Sequence, residues 1–210
     1  TVDCSMLTGG RWRLIAPVSF PRNCACSAIV EDEDGQPEMW VMGGRGSGGN
    51  ILTTVEAYNP RTNTWRSCVP LSQRRTRAVA GVVGGRLVVA GGWDGVGHLT
   101  SVEAYTPTGW TPLPPLPHAA WQATACVLNG RLHVMGGFRS NKHQVLEMTE
   151  NNKFTWTVKA NLPTFHPGAA SIVHEGRIWV MGGSCSALVL TYNADADAWE
   201  TGPPLPAPVN

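Results

Sequence analysis

Apolar residues in this chain come in short runs, and four of those runs end on a glycine pair. They are "VMGG" (41–44), "VVAGG" (88–92), "HVMGG" (133–137) and "WVMGG" (179–183). The pairs Gly43-Gly44, Gly91-Gly92, Gly136-Gly137 and Gly182-Gly183 follow one another at 48, 45 and 46 residues. A second apolar run precedes three of them across a two-residue turn: "RAVAGVV" with Gly84-Gly85, "TACVL" with Asn129-Gly130, and "ASIVH" with Glu175-Gly176. Such dipeptides between apolar runs predict hairpins, because a type I′ turn needs positive φ at both central residues. The first unit carries the acidic "EDEDGQPE" (31–38) at that place, which predicts a longer, solvated hairpin loop.

Beyond each glycine pair a variable loop leads to a third run: "VEAYNP" (55–60), "VEAYTP" (102–107), "VLEMTE" (145–150) and "VLTYNAD" (189–195). A fourth follows, opened by Trp65, Trp110, Trp156 or Trp199, and a fifth tryptophan, Trp12, has no glycine pair ahead of it. Four short strands per unit at a period near 46 describe an all-β chain of radially arranged four-stranded sheets, a β-propeller. "TVDCSMLTGGRW" (1–12) aligns without a gap on "TVEAYNPRTNTW" (54–65), so the chain is expected to open with the third strand of a unit. The expected organisation is a half blade at 1–20 and full blades at 21–69, 70–116, 117–162 and 163–206.

The repeat settles a competing motif. In "WVMGGRGSGGN" (40–50), Gly44, Gly46 and Gly49 have the spacing G-x-G-x-x-G. A dinucleotide fingerprint needs a helix directly after the glycines and a carboxylate about 20 residues on. Here a strand-like run follows and no carboxylate stands near 64–69. The glycines are therefore structural, and the variable loop begins after Gly44.

Together, the glycine pairs, the "VEAY" strands and the tryptophan opening each fourth strand resemble kelch repeats, over essentially the whole chain. The resemblance implies glycine pairs at tight inter-strand contacts and a tryptophan packed between neighbouring blades. It also implies six or seven blades in a closed ring, more than these units supply. The edges at 1–12 and near 210 are thus expected to be covered by missing blades or another chain, with a compact five-bladed closure as the alternative. The third unit lacks the tyrosine and the fourth lacks the glutamate of "VEAY", so both should close with different hydrogen bonding.

Composition narrows the function. Glycine and proline (24 and 16 of 210 residues) suit a turn-rich fold. A net charge of +1 gives no global field for nucleic acid. No apolar run approaches the length of a membrane span. The six cysteines form no C-x-x-C and read as reduced thiols in strands, which favours an intracellular compartment. The chain begins with Thr, consistent with a removed leader or with a segment of a longer protein. No HExxH, H-x-H or Ser/His/Asp constellation stands out, so neither catalysis, nor a cofactor, nor a metal is expected. His133, at a position held by Trp40, Val88 and Trp179 in the other units, reads as a packed side chain.

Binding is expected on the variable loops. Those after the glycine pairs and those entering each blade share one face and hold Arg45, Arg74, Arg75, Arg77, Trp93, His98, Phe138 and Arg139, together with Trp121, Lys142, His143 and His166. Arginine beside aromatic residues is the make-up of interface hot spots. The densest basic run, "QRRTR" (73–77), points to an acidic partner segment. The expected function is a non-catalytic protein-interaction module or scaffold. The alternatives are a kelch-type propeller enzyme, galactose-oxidase-like or sugar-active, and the substrate receptor of a ubiquitin ligase.

Overall fold

The computed structural model describes residues 14–209. Trp12 and residues 1–13 of the half blade expected at 1–20 lie outside the described residues. Among those described there is no helix, and sixteen of the strands form four antiparallel four-stranded sheets. The first sheet consists of Cys26–Glu31, Pro37–Met42, Val55–Asn59 and Thr64–Cys68. The second consists of Val79–Val83, Arg86–Ala90, Val102–Thr106 and Gly109–Leu113. The third runs through Thr124–Leu128, Arg131–Met135, His143–Met148 and Phe154–Lys159, and the fourth through Ala170–His174, Arg177–Met181, Val189–Asn193 and Ala198–Thr201. Each sheet is a meander in chain order, and the first strands of consecutive sheets pack against one another, so these strands line the centre.

Local chemistry explains the hairpins. The turns Gly84-Gly85, Asn129-Gly130 and Glu175-Gly176 hold φ of 56° and 72°, 51° and 71°, and 49° and 71°. This is the type I′ geometry whose twist matches that of the flanking strands. In the acidic loop Asp32 does the same work with its side chain, accepting the backbone N–H groups of Asp34 at 3.0 Å and Gln36 at 2.7 Å.

Three apolar clusters hold the sheets together, one at each interface. Trp40, Met42 and Val55 meet Leu87 and Val89 between the first two sheets. Val79, Val88 and Ala104 meet Leu132, Val134 and Leu146 at the second interface, and Leu128 and Met135 meet Ile178, Val180 and Tyr192 at the third. Burial on both faces is why strands such as Arg86–Ala90 and Arg131–Met135 read as continuous apolar runs rather than alternating ones. Each fourth-strand tryptophan closes an interface from the outside. The indole N–H groups of Trp65, Trp110, Trp156 and Trp199 donate to the carbonyls of Ala16, Val69, Pro114 and Ala160 at 2.7, 2.9, 2.9 and 2.9 Å. Val69, Pro114 and Ala160 each directly follow the fourth strand of the preceding sheet, so every ring reaches back across one interface.

The register of the third unit differs from the one suggested by its sequence. Leu146, not Met148, faces Trp156 as Tyr58 faces Trp65, and Gln144 takes the place of Glu56 and Glu103. A two-residue shift leaves every side chain on its own face, so the apolar pattern could not expose it.

Candidate functional site

The connections entering each sheet place the loop face. Arg22, Arg75, Ala120 and His166 occupy one equivalent position, and two residues later Cys24, Arg77, Gln122 and Gly168 take left-handed backbone conformations with φ of 53°, 52°, 58° and 74°. Their backbones link the sheets around the centre. Arg77 N donates to Cys24 O at 2.8 Å, Gln122 N to Arg77 O at 3.3 Å, and Gly168 N to Gln122 O at 2.9 Å. These residues, with the alanines and Pro167 beside them, line a central cavity of about 590 Å³.

Next to it lies a second cavity of about 560 Å³, lined by Asn23, Cys24, Arg45, Thr76, Arg77, Trp93 and Trp121. Its walls are built where each glycine pair meets an entering connection. Gly43 has φ of 61°, and a Cβ there would strike the Arg75 carbonyl. A Cβ on Gly92 would lie 2.8 Å from the Thr76 carbonyl. Only glycine allows the two segments to touch, so the next residue, Arg45 or Trp93, projects at the rim.

Arginine and aromatic side chains alternate along that rim. The Arg45 guanidinium lies 5.7 Å from the Trp93 ring, Arg77 lies 5.7 Å from Trp121, and Arg139 lies 5.3 Å from Phe138. His98 stacks on Trp121 at 4.8 Å and 18°, and Phe138 meets Trp121 edge-on at 4.9 Å. Among the described residues none of Arg45, Arg74, Arg77 and Arg139 pairs with a carboxylate, whereas Arg22, Arg66, Arg75, Arg131 and Arg177 do. The arrangement offers cations without counter-ions on an aromatic floor.

Of the residues expected to bind, the structure gathers Arg45, Arg77, Trp93, His98, Phe138 and Arg139 around this rim, and Arg74 is exposed beside it. Arg75 is a correction. It is 1% exposed, donates to Gly91 O and Glu103 Oε1 at 2.7 Å each, and is part of the blade interior. "QRRTR" is therefore not one solvated run. His143, in a strand, and His166, on the connection entering the fourth sheet, are also buried. His166 approaches Gly182 O at 3.1 Å through Nδ1, the counterpart of the Arg75 contact in the second unit. Trp121 lines the cavity as fully as any of the residues singled out above, and Asn23, Cys24 and Thr76 carried no motif. Aligning the four entering connections by repeat would have found them.

His133 is packed, and its partner is His143: their Nδ1 and Nε2 lie 2.9 Å apart, with Tyr192 and Trp199 around His143. Burial lowers the His133 pKa to about 4, aided by Arg131 and Lys159, and burial then the His133 charge lowers His143 to about 3. Among the described residues no three His, Cys, Asp or Glu side chains converge as a metal-ligand set. Burial pushes the Cys26 and Cys126 thiols up to about 12. Cys24 is not in a strand with Cys26, being exposed at the cavity with a left-handed backbone.

Comparison with known proteins agrees with this architecture. The Kelch motif matches residues 36–72 and 74–117. Mouse Kelch-like protein 35 is 30% identical over 171 residues, covering 78% of this chain and 29% of that protein. Kelch-like ECH-associated protein 1B of Danio rerio is 32% identical over 96 residues, 44% of this chain and 16% of its own length. F-box protein AFR of Arabidopsis thaliana is 30% identical over 122 residues, covering 53% and 31%. The chain thus spans under a third of the length of these relatives. The solved structure of YjhT superposes with a TM-score of 0.79 at 16% identity, over 93% of this chain and 75% of that one. With the repeat, the sheets and the sequence matches in agreement, the chain belongs to the kelch-repeat family and folds as kelch β-propeller blades.

Proposed function

We propose that this chain is a protein-interaction module, the recognition part of a longer kelch protein, and that its loop face binds an acidic segment of a partner. One observation carries the reading: Arg45 and Arg77 lie near the Trp93 and Trp121 rings in the wall of a cavity of about 560 Å³, Arg139 lies near Phe138 beside Trp121, and among the described residues none of the three has a carboxylate partner. A guanidinium held against a ring keeps its planar fork for an incoming carboxylate, and less side-chain entropy is lost on binding. An exposed pair contributes only about 0.2–1 kcal/mol, so several must act together. The names of the relatives, one ECH-associated and one an F-box protein, suit a recognition module in a larger chain, including the receptor of a ubiquitin ligase.

The probe is a fluorescein-labelled Asp/Glu-rich decapeptide titrated by anisotropy at low salt. Arg45→Glu with Arg77→Glu should weaken binding at least tenfold with unchanged thermal unfolding. Equal binding by the folded double variant would refute the assignment. Stoichiometric metal in the purified protein would turn the choice toward a kelch-type enzyme.

The same proposal extends to the outer face of the fourth sheet. Trp40 and Met42 of the first sheet are buried under the second, whereas their register equivalents Trp179 and Met181 are half-buried and nearby Ile172 is 54% exposed. Further blades or another chain cover that face. Amide exchange of Ala170–His174 in the full-length protein should be markedly slower than in residues 1–210 alone, and equal rates would count against a cover.

A further inference from the structure

A second interaction surface lies on the face opposite the arginines. In a meander, the hairpin between first and second strands and the turn between third and fourth share one rim, away from the loop face. There, between the first and second sheets, a cleft of about 550 Å³ is lined by Glu31, Asp32, Glu33 and Asp34, with Trp40, Arg66 and Tyr105 also in its wall. None of these four carboxylates forms an ion pair among the described residues; Asp32 caps its own loop, and Glu31, Glu33 and Asp34 are exposed. The one cation in the wall, Arg66, is neutralised by Glu38 at 2.5 Å and lies over the Trp40 ring at 5.3 Å. Trp40 is only 4% exposed, and its indole nitrogen has no hydrogen-bond partner among the described residues.

We propose that this cleft binds a basic peptide segment. The four carboxylates attract a cationic ligand and repel nucleic acid. An indole N–H can only donate, so it has nothing to offer a bare metal cation. A peptide meets that charge with Lys or Arg side chains on the acidic loop, and the buried Trp40 indole in the cleft wall reports its binding. Tyr105, edge-on to Trp40 at 4.9 Å, adds an aromatic wall against which an alkyl stem or guanidinium packs. The surface is independent of the loop-face arginines and carries the opposite charge, which makes the module two-faced.

The test uses a labelled Lys/Arg-rich nonapeptide, titrated by anisotropy into the intact chain and followed by indole N–H signals in NMR. Saturable binding should weaken at least tenfold in Glu33→Lys with Asp34→Lys, exposed positions whose side chains make no hydrogen bond among the described residues. The Trp40 indole signal should move on titration. Trp179, at the same register in the fourth sheet and equally without a partner, has only a two-residue turn beside it and should stay still. The acidic decapeptide should bind the loop variant as it binds the wild type, separating failure here from failure on the loop face. Binding insensitive to the loop substitutions, or a stationary Trp40 signal, overturns the proposal. So does a salt-sensitive dimer that the loop substitutions abolish, because the occupant would then be the basic face of a second copy.

Discussion

Arg75 and Glu103 form a buried ion pair, and the chain itself contains its replacement. The side chains are 1% and 5% exposed. Arg75 donates to Gly91 O at 2.7 Å, Ser101 O at 3.2 Å and Glu103 Oε1 at 2.7 Å, while Glu103 Oε2 accepts Ser72 N at 2.9 Å. Truncating either partner leaves the other charge buried and uncompensated, which costs about 3–5 kcal/mol. In the third unit the same two positions hold Ala120 and Gln144. Gln144 Oε1 accepts His118 N at 2.7 Å, and its Nε2 donates to His118 O at 3.1 Å. A neutral amide thus makes the contacts of the glutamate without needing a counter-ion. Arg75→Ala and Glu103→Ala should each lower the unfolding free energy by about 3–5 kcal/mol, while Arg75→Ala with Glu103→Gln should fall within about 1–2 kcal/mol of the wild type. Urea unfolding at pH 7, followed by tryptophan fluorescence and far-UV circular dichroism together, measures all three. Single losses below about 1 kcal/mol, or a double variant no better than the worse single, would show that the pair is not the closing element inferred here.

Other outcomes follow from the same geometry. The pKa values of His133 and His143 lie below the ordinary histidine value, so the unfolded chain takes up protons first; stability is full above about pH 6.5 and declines as pH falls toward 4 and 3. His133→Val with His143→Val, copying Val88 and Val102 at the same register, should flatten that part of a stability-versus-pH curve; an unchanged slope would assign it to other groups. Gly43→Ala puts a Cβ against the Arg75 carbonyl at a left-handed position and should destabilise by more than about 1 kcal/mol in urea unfolding. Iodoacetamide at pH 8 should label Cys24 well before Cys26 and Cys126, as peptide mass spectrometry would show, because those two thiols are held up at about 12 by burial.

Features governed by neighbours in the chain were legible in the sequence. The turns at Asn129-Gly130 and Gly84-Gly85 announce themselves because positive φ selects a few residue types wherever it occurs. The altered closing of the third unit was foreseeable from its missing tyrosine, whereas the fourth pairs Tyr192 with Trp199 as the first pairs Tyr58 with Trp65. The form of the third unit's closing was not foreseeable, since a two-residue slip from Met148 to Leu146 keeps the same face inward. On the loop face, residue type singled out Arg45, Arg77, Trp93 and Phe138, but it could not separate Arg75 from its neighbours.

That separation is tertiary. Arg74, Arg75 and Arg77 have the same chemistry within four positions, yet Arg75 enters the sheet because Glu103, far along the chain, and the carbonyls of Gly91 and Ser101 wait there. Arg77 turns outward because its left-handed backbone aims it at Trp121 of the next unit. By itself the sequence determined the period, the strands and the family, all encoded in local backbone preference repeated four times. Only the tertiary structure decided which arginines are paired and which are offered to a partner. Desolvation and charge compensation depend on what a neighbouring sheet places within a few ångströms, and no local pattern carries that information.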